Sequence, residues 1–285
     1  MVKGDGMQIG GLNAEQVSQY RERGYYYPLQ VFTREEARSF LGDYLAHVAR
    51  NQQRLQSLSP REQYLIMSET HTYLSWVYRM VSHPKVLDAV ESILGPNLMV
   101  WGTRWFSKMS GDKTFVSWHQ DGTYWGLHPP HVTTAWVALS QSDPENGGLR
   151  VVPGSHQGNY LPQRDTYDPE NALSRGQEIA IEVDEAQAVD LALQPGEMSL
   201  HHIGIVHGSK ANTSDKPRIG LSIRYITPEV VQEGSERSMA MLVRGRDEFG
   251  HFDLIEPPQE DRPLNEHEVP EALRRMMKNI MPQKS

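Results

Sequence analysis

Cysteine is missing from all 285 residues, which removes disulfides, thiolate zinc sites, iron–sulfur clusters and thiol nucleophiles together. Any metal must be held by histidine, aspartate or glutamate, and twelve histidines are available. Long apolar runs are missing too: no stretch approaches the ~18 uninterrupted apolar residues of a membrane span, so no membrane partner is expected. The amino terminus, Met1-Val2-Lys3-Gly4-Asp5-Gly6, lacks the apolar core of a secretion signal, and the chain reads as a soluble, cytoplasmic protein. Positive charge is in deficit, with a formal net charge of −8 and no Lys/Arg cluster. Nucleic acid is therefore not an expected partner. The length suffices for a full core without staples. No linker-like run divides it, so residues 1–285 are read as one domain.

The first part of that domain, 13–97, reads as helical support. Asn13 starts a run ending at Gly24, and Thr33 with Glu36 forms a capping box that opens a helix to about Gln52. Another helix starts near His83-Pro84 and stops at Gly95-Pro96. From Leu98 the pattern changes to short β segments between turn residues: Leu98 to Phe106, Phe115 to Gln120, Val132 to Leu139, Leu149 to Val152, Ala188 to Leu193, Glu197 to His202 and Ile219 to Ile226. Many short strands without alternating helices predict a mainly β fold with flanking helices, a double-sheet barrel over 98–228. A C-terminal extension, 229–285, ends in a helix from about Val269 to Met281.

Seven of the twelve histidines fall between positions 119 and 207. The sharpest feature there is His119-Gln120-Asp121. On a strand, residues i and i+2 face the same way, so His119 and Asp121 can present a nitrogen and a carboxylate oxygen to one point. One further histidine would complete a facial set of two His and one carboxylate, which suits non-haem Fe(II) and leaves neighbouring positions open. By itself His-x-Asp is equally compatible with a surface pair at a strand end. A second block, Gln194 to Ser209, opens on a Pro-Gly turn and ends at His207, before a Gly208-Ser209 that lets backbones approach closely. His201 and His202 compete with His207 as the third ligand; the Gly-Ser and the spacing to Arg218 favour His207. A loop over 212–217 predicts that His207 and Arg218 lie on neighbouring strands. An arginine there can grip a carboxylate bidentately.

His119-Gln120-Asp121, the segment Asn146-Gly147-Gly148-Leu149-Arg150-Val151-Val152-Pro153-Gly154-Ser155-His156, and His207-Gly208-Ser209 followed by Arg218 together resemble the phytanoyl-CoA dioxygenase-like family of Fe(II)- and 2-oxoglutarate-dependent oxygenases. The resemblance covers roughly residues 13 to 228. It implies a double-stranded β-helix (jelly-roll, cupin-like) with an N-terminal helical layer. It also implies iron held by His119, Asp121 and His207, and 2-oxoglutarate anchored by Arg218 with help from Ser209, Thr134 and Trp136. O2 would be consumed as the cosubstrate is decarboxylated to succinate and CO2, and an unactivated C–H bond oxidised. Asp121 stands where the family's halogenases carry a small residue, which favours oxygen insertion. No cationic cluster suits the phosphates of coenzyme A, so the family name is not read as the substrate.

Around this set, Arg224 shares the inward face of its strand with Arg218 and is a rival anchor or a contact for an acidic substrate. Arg104 has the same ambiguity. Tyr124 and Trp125 follow the metal motif and are expected to wall a substrate. His128 and His131 are solvated loop residues or substrate contacts. His156 is expected to tie down a loop, His202 to line the cavity or pack in the core, and Trp101, Trp105 and Trp118 to be buried. The polar segment from Gln157 to Glu185 is expected to cover the site. The expected partner is a small to medium metabolite of specialised metabolism; no oligomeric state follows. The rival reading is a non-oxidative jelly-roll metalloprotein, a lyase, isomerase or ligand-binding module using the same His-Asp-His site.

Overall fold

Asn13 opens the first helix, α1 (Ala14–Arg23), through a complete capping box with Gln16, and Gly24 ends it in the left-handed conformation. The computed structural model describes residues 10–57, 63, 67–262 and 270–280. Thr33 and Glu36 form the second box, which starts α2 (Arg34–Arg50). The helices α3 (Gln52–Ser57), α4 (Ser75–Val81) and α5 (Pro84–Leu94) follow, the last begun by Pro84 and ended at Gly95. Phe40 and Tyr44 of α2, Trp76 and Met80 of α4, and Val86 and Val90 of α5 are buried in one cluster with Trp105, Val137, Leu221 and Ile223. The helices are thus a layer laid on one face of a sheet.

That sheet has seven strands, in the order β1 (Tyr25–Gln30), β10 (Glu197–His202), β5 (Val132–Ala138), β12 (Arg218–Ile226), β2 (Leu98–Lys108), β14 (Met239–Arg244) and β15 (Asp253–Leu254). A second sheet of four runs β3 (Val116–His119), β11 (His207–Ser209), β6 (Arg150–Val151) and β9 (Val189–Asp190). Together they form the double-stranded β-helix. Two small ladders, β4 (Leu127–His128) with β13 (Val231–Gln232) and β7 (Gln163–Asp165) with β8 (Gln177–Ile179), lie in its connections. Short helices α6 (Gly122–Trp125) and α7 (Glu271–Ile280) complete the description. The ends expected for the last helix, Val269 and Met281, lie outside the described residues. Among the described residues no helix is long and apolar enough to cross a membrane.

Two of the strands that escaped the sequence reading bear on the barrel itself. β1 carries Pro28, which a central strand would not tolerate; it survives at the sheet edge, where a register break between Tyr26 and Leu29 absorbs it. β14 joins the large sheet beside β2, so the segment after 228 is not merely appended to the barrel. Conversely, the expected strand from Ala188 to Leu193 shrinks to Val189–Asp190.

Alternation on β12 sends Ile219, Leu221, Ile223 and Tyr225 to the helical layer and leaves Arg218, Ser222 and Arg224 facing the barrel cavity. A register break at the β12–β2 pairing, between Arg224 and Tyr225, reverses the faces of β2: Val100 and Trp105 share one cluster although they are an odd number apart. Gly220 leaves room for the Trp136 indole to lie across the β12 backbone, since a Cβ there would overlap the ring. Gly220→Ala is therefore expected to displace Trp136 and cost about 2 kcal/mol, read as a loss of several degrees in thermal melting.

Candidate active site

His119 closes β3, and its cross-strand partner on β11 is His207, so the ladder itself places the two imidazoles side by side, with ring centroids 4.1 Å apart. The reason for Asp121 differs from the expected one. The strand stops at His119, and Asp121 has helical angles (φ −58°, ψ −41°) at the entrance to α6. A turn after the strand end, not the i, i+2 alternation, swings its carboxylate back. Gln120 holds that turn: buried, it donates to the Gly204 carbonyl (2.6 Å) and accepts from the Leu161 N–H (2.7 Å). The Gly122 N–H adds a bond to Ile203. Gly208 matters for the same ladder, because a Cβ there would sit 2.8 Å from the Val116 carbonyl.

Asp121 Oδ1 is 3.4 Å from His119 Nε2, and Oδ2 is 3.8 Å from His207 Nε2; one ligand atom from each of the three lies within 4.8 Å of the others. His119 Nδ1 meets the Ser117 carbonyl at 2.9 Å and His207 Nδ1 meets the Ile205 carbonyl at 3.0 Å. A carbonyl only accepts, so both Nδ1 atoms carry the proton and both Nε2 lone pairs point toward the carboxylate. Burial and the neighbouring His119 push His207 down to about 4, keeping it neutral near pH 7. Burial would raise the Asp121 carboxyl, but His207 and His119 outweigh it and hold it at about 2. Two neutral imidazoles and one carboxylate, with no thiolate, fit a divalent transition metal such as Fe(II).

The triad opens into a cavity of about 990 Å3, counted with its open mouth. At one end Arg218, only 2% exposed, lies over the Trp136 ring (5.4 Å) with its Nε unpartnered. Burial lowers it to about 10. His207 and Arg218 are not on neighbouring strands as expected: β11 belongs to the small sheet and β12 to the large one, so they face each other across the cavity. Lys108 is the cross-strand partner of Arg218 and was not anticipated from sequence. It is 2% exposed and donates to Ser209 Oγ (2.7 Å) and to the Lys210 carbonyl. Burial and Arg218 lower its ammonium to about 7. Its signal was present in β2, where Arg104, Phe106 and Lys108 recur every second residue.

Among the other candidates, Trp136, Ser209, Tyr124, Trp125, Arg104 and Arg224 all line the cavity. Thr134 is buried between its cross-strand neighbours His201 and Arg224, with its hydroxyl unbonded, and is not part of the lining. His131 is not brought to the site: it is exposed and paired with Glu229 at 2.5 Å, as His128 is with Glu233 at 3.3 Å. His201, not His202, lines the cavity, its ring 4.9 Å from His207. His202 accepts from the Gly204 N–H instead. His156 donates to the Arg21 carbonyl and ties its loop to α1. Trp101 and Trp105 are buried, whereas Trp118 is half-buried outside the barrel beneath Arg150. From the covering segment, Leu173, Ser174, Arg175 and Gln177 reach the wall.

The family profile described as Phytanoyl-CoA dioxygenase (PhyH) matches residues 9–220. A probable alpha-ketoglutarate-dependent hypophosphite dioxygenase of Stutzerimonas stutzeri is 29% identical over 159 residues, 54% of this chain and 54% of that protein. The peroxisomal phytanoyl-CoA dioxygenase of Bos taurus is 30% identical over 191 residues, 62% of this chain and 56% of that protein. The chain spans about half the length of the curated relatives it matches. Among solved structures, the non-heme monooxygenase ThoJ in its apo form is 34% identical with a TM-score of 0.80, covering 93% of this chain and 97% of that one. CytC3, at 22% identity and a TM-score of 0.66 over 90% of this chain and all of that one, shares the fold. The profile match takes in the triad and Arg218, on a jelly-roll shared almost end to end with ThoJ, and on that ground this chain belongs to the phytanoyl-CoA dioxygenase family.

Proposed function

We propose that the protein is an Fe(II)- and 2-oxoglutarate-dependent oxygenase that oxidises an unactivated C–H bond of a small to medium metabolite of specialised metabolism, with release of succinate and CO2. The observation that carries this reading is the pairing, in one cavity, of the His119-Asp121-His207 donor set with the buried Arg218, backed by Lys108 through its bond to the lining residue Ser209. A metal site without a cosubstrate has no use for a buried, largely unpaired arginine facing it. His119, Asp121 and His207 would hold the iron, which supplies the O2 chemistry that side chains cannot. Arg218 and Ser209 would grip the distal carboxylate of 2-oxoglutarate, with the Lys108 charge behind Ser209, and Trp136 would form the apolar wall along its methylenes. Tyr124 and Trp125 would screen the substrate from water.

The test is anaerobic addition of Fe(II) and 2-oxoglutarate, followed by O2. The oxygenase shows a weak visible absorption band, then succinate, and in a metabolite screen a product gaining one oxygen or losing two hydrogens. Tight zinc binding with neither band nor succinate would favour the non-oxidative metalloprotein.

The Lys108 ammonium gives this reading a pH signature. Its proton is held below about 7 and lost above it, so 2-oxoglutarate should bind more weakly as pH rises through neutrality, although a bound dicarboxylate moves that loss upward. Lys108→Met is expected to flatten the profile and weaken binding about tenfold at pH 6, measured by equilibrium dialysis.

A further inference from the structure

We infer that Arg224 is the anchor for an anionic group on the substrate, in a subsite walled by Trp125 and Met276. The inference deepens the proposed function and rests on it for taking the bound anion to be the substrate. Four arginines line the cavity. Arg175 is paired with Asp165 at 3.3 Å, and Arg104 donates to the Ala172 carbonyl at 2.5 Å. Arg218 stands at the cosubstrate end. Arg224 is different: about nine-tenths buried, it has no carboxylate within 4 Å among the described residues, and its Nε has no acceptor. Among the described residues its one hydrogen-bond acceptor is the Met276 thioether, 3.9 Å from Nη1. A thioether is a weak acceptor, and a buried guanidinium left with most of its donors unmet is costly.

The surroundings hold the charge in place without consuming its donors. The guanidinium carbon lies 4.7 Å from the Trp125 ring centroid and 5.7 Å from that of Trp101, and a cation over ring faces keeps its N–H edge free. The natural rival is a structural ion pair with Glu69. That carboxylate is fully buried, in a left-handed conformation (φ 54°), and approaches Arg224 only across the missing side chain of Gly102. Burial raises it to about 8 despite Arg224, so near neutrality it is mostly protonated and leaves the arginine's charge uncompensated.

Cosubstrate gripped at Arg218 is not the expected partner of Arg224. The two arginines are six residues and about 20 Å of backbone apart on one face of β12, and their guanidinium groups lie over different rings, Trp136 for Arg218 and Trp125 and Trp101 for Arg224. The ligand expected at Arg224 is therefore a second anion, a carboxylate or a phosphonate. It would share the cavity with the triad, which Arg224, Trp125 and Met276 line together with His119, Asp121 and His207. Arg224 and Met276 both fall beyond the family match, which ends at residue 220.

The full-length protein, titrated with 3-phenylpropionate, phenylphosphonate and the neutral 3-phenylpropanamide while tryptophan fluorescence is followed, tests the subsite. Labelled 2-oxoglutarate binding to the metal-loaded protein is measured in parallel. An anion is expected to bind and the amide not, Arg224→Gln to weaken the anion about tenfold or more, and 2-oxoglutarate binding to stay within about twofold. Met276→Glu, which leaves the arginine but offers it an internal carboxylate, should produce the same selective loss, so a misfolded Arg224→Gln would not decide the matter. Equal binding of amide and anions, no saturable binding of either anion, or unchanged anion affinity in both variants would overturn the inference. Arg224-dependent anion binding in a protein that retains no 2-oxoglutarate would uphold the anion site and overturn the oxygenase reading.

Discussion

Asp121→Ala and His207→Ala are each expected to reduce both metal retention after dialysis and 2-oxoglutarate-dependent succinate formation by about three orders of magnitude, or ~4 kcal/mol. The site holds three donors and no spare: among the described residues no other histidine, aspartate or glutamate joins the cluster. His201 is the closest competitor by ring distance, 4.9 Å from His207, yet its buried Nδ1 has no partner and burial with His207 pushes it down to about 3. His201→Ala and His202→Ala should therefore retain stoichiometric metal. Metal content by mass spectrometry and succinate by chromatography separate the four variants. Wild-type iron content in His207→Ala would sink the triad.

Where the sequence was legible, local chemistry and tertiary demand agreed. The capping boxes at Asn13 and Thr33 and the alternation of β12 all reappear because each satisfies backbone and burial at once. Asp121 was legible for the wrong reason: the tripeptide announced two ligands, but the end of β3 at His119 and the turn held by Gln120 are decided by contacts with Gly204 and Leu161, far along the chain. Lys108 was not legible as a buried residue, nor Met276 as a cavity residue. A lysine at a strand end reads as solvated, and only pairing with Arg218 buries it. Met276 reaches the site because α7 packs against the barrel, a long-range event that its own amphipathic pattern does not specify. His131 shows the converse: nearness in sequence to the metal motif did not bring it to the cavity.

Arg218→Gln is expected to raise the dissociation constant for 2-oxoglutarate about a hundredfold, with Arg218→Lys losing about tenfold, since the charge survives but the bidentate fork does not. Turnover at saturating 2-oxoglutarate should fall much less, because the metal donors come from the other sheet and do not touch this residue. The thermal melt of the ligand-free protein supplies the second half of the test. Arg218 is almost fully buried, and among the described residues its Nε is unpartnered and its one hydrogen bond, to the Phe106 carbonyl, is long at 3.5 Å. A charge kept in that state is a cost to the empty fold. Arg218→Met should therefore melt no lower than the wild type without ligand while losing the stabilisation that 2-oxoglutarate confers. An arginine retained for structure would give the opposite pair of results, a lower melting temperature with cosubstrate affinity intact.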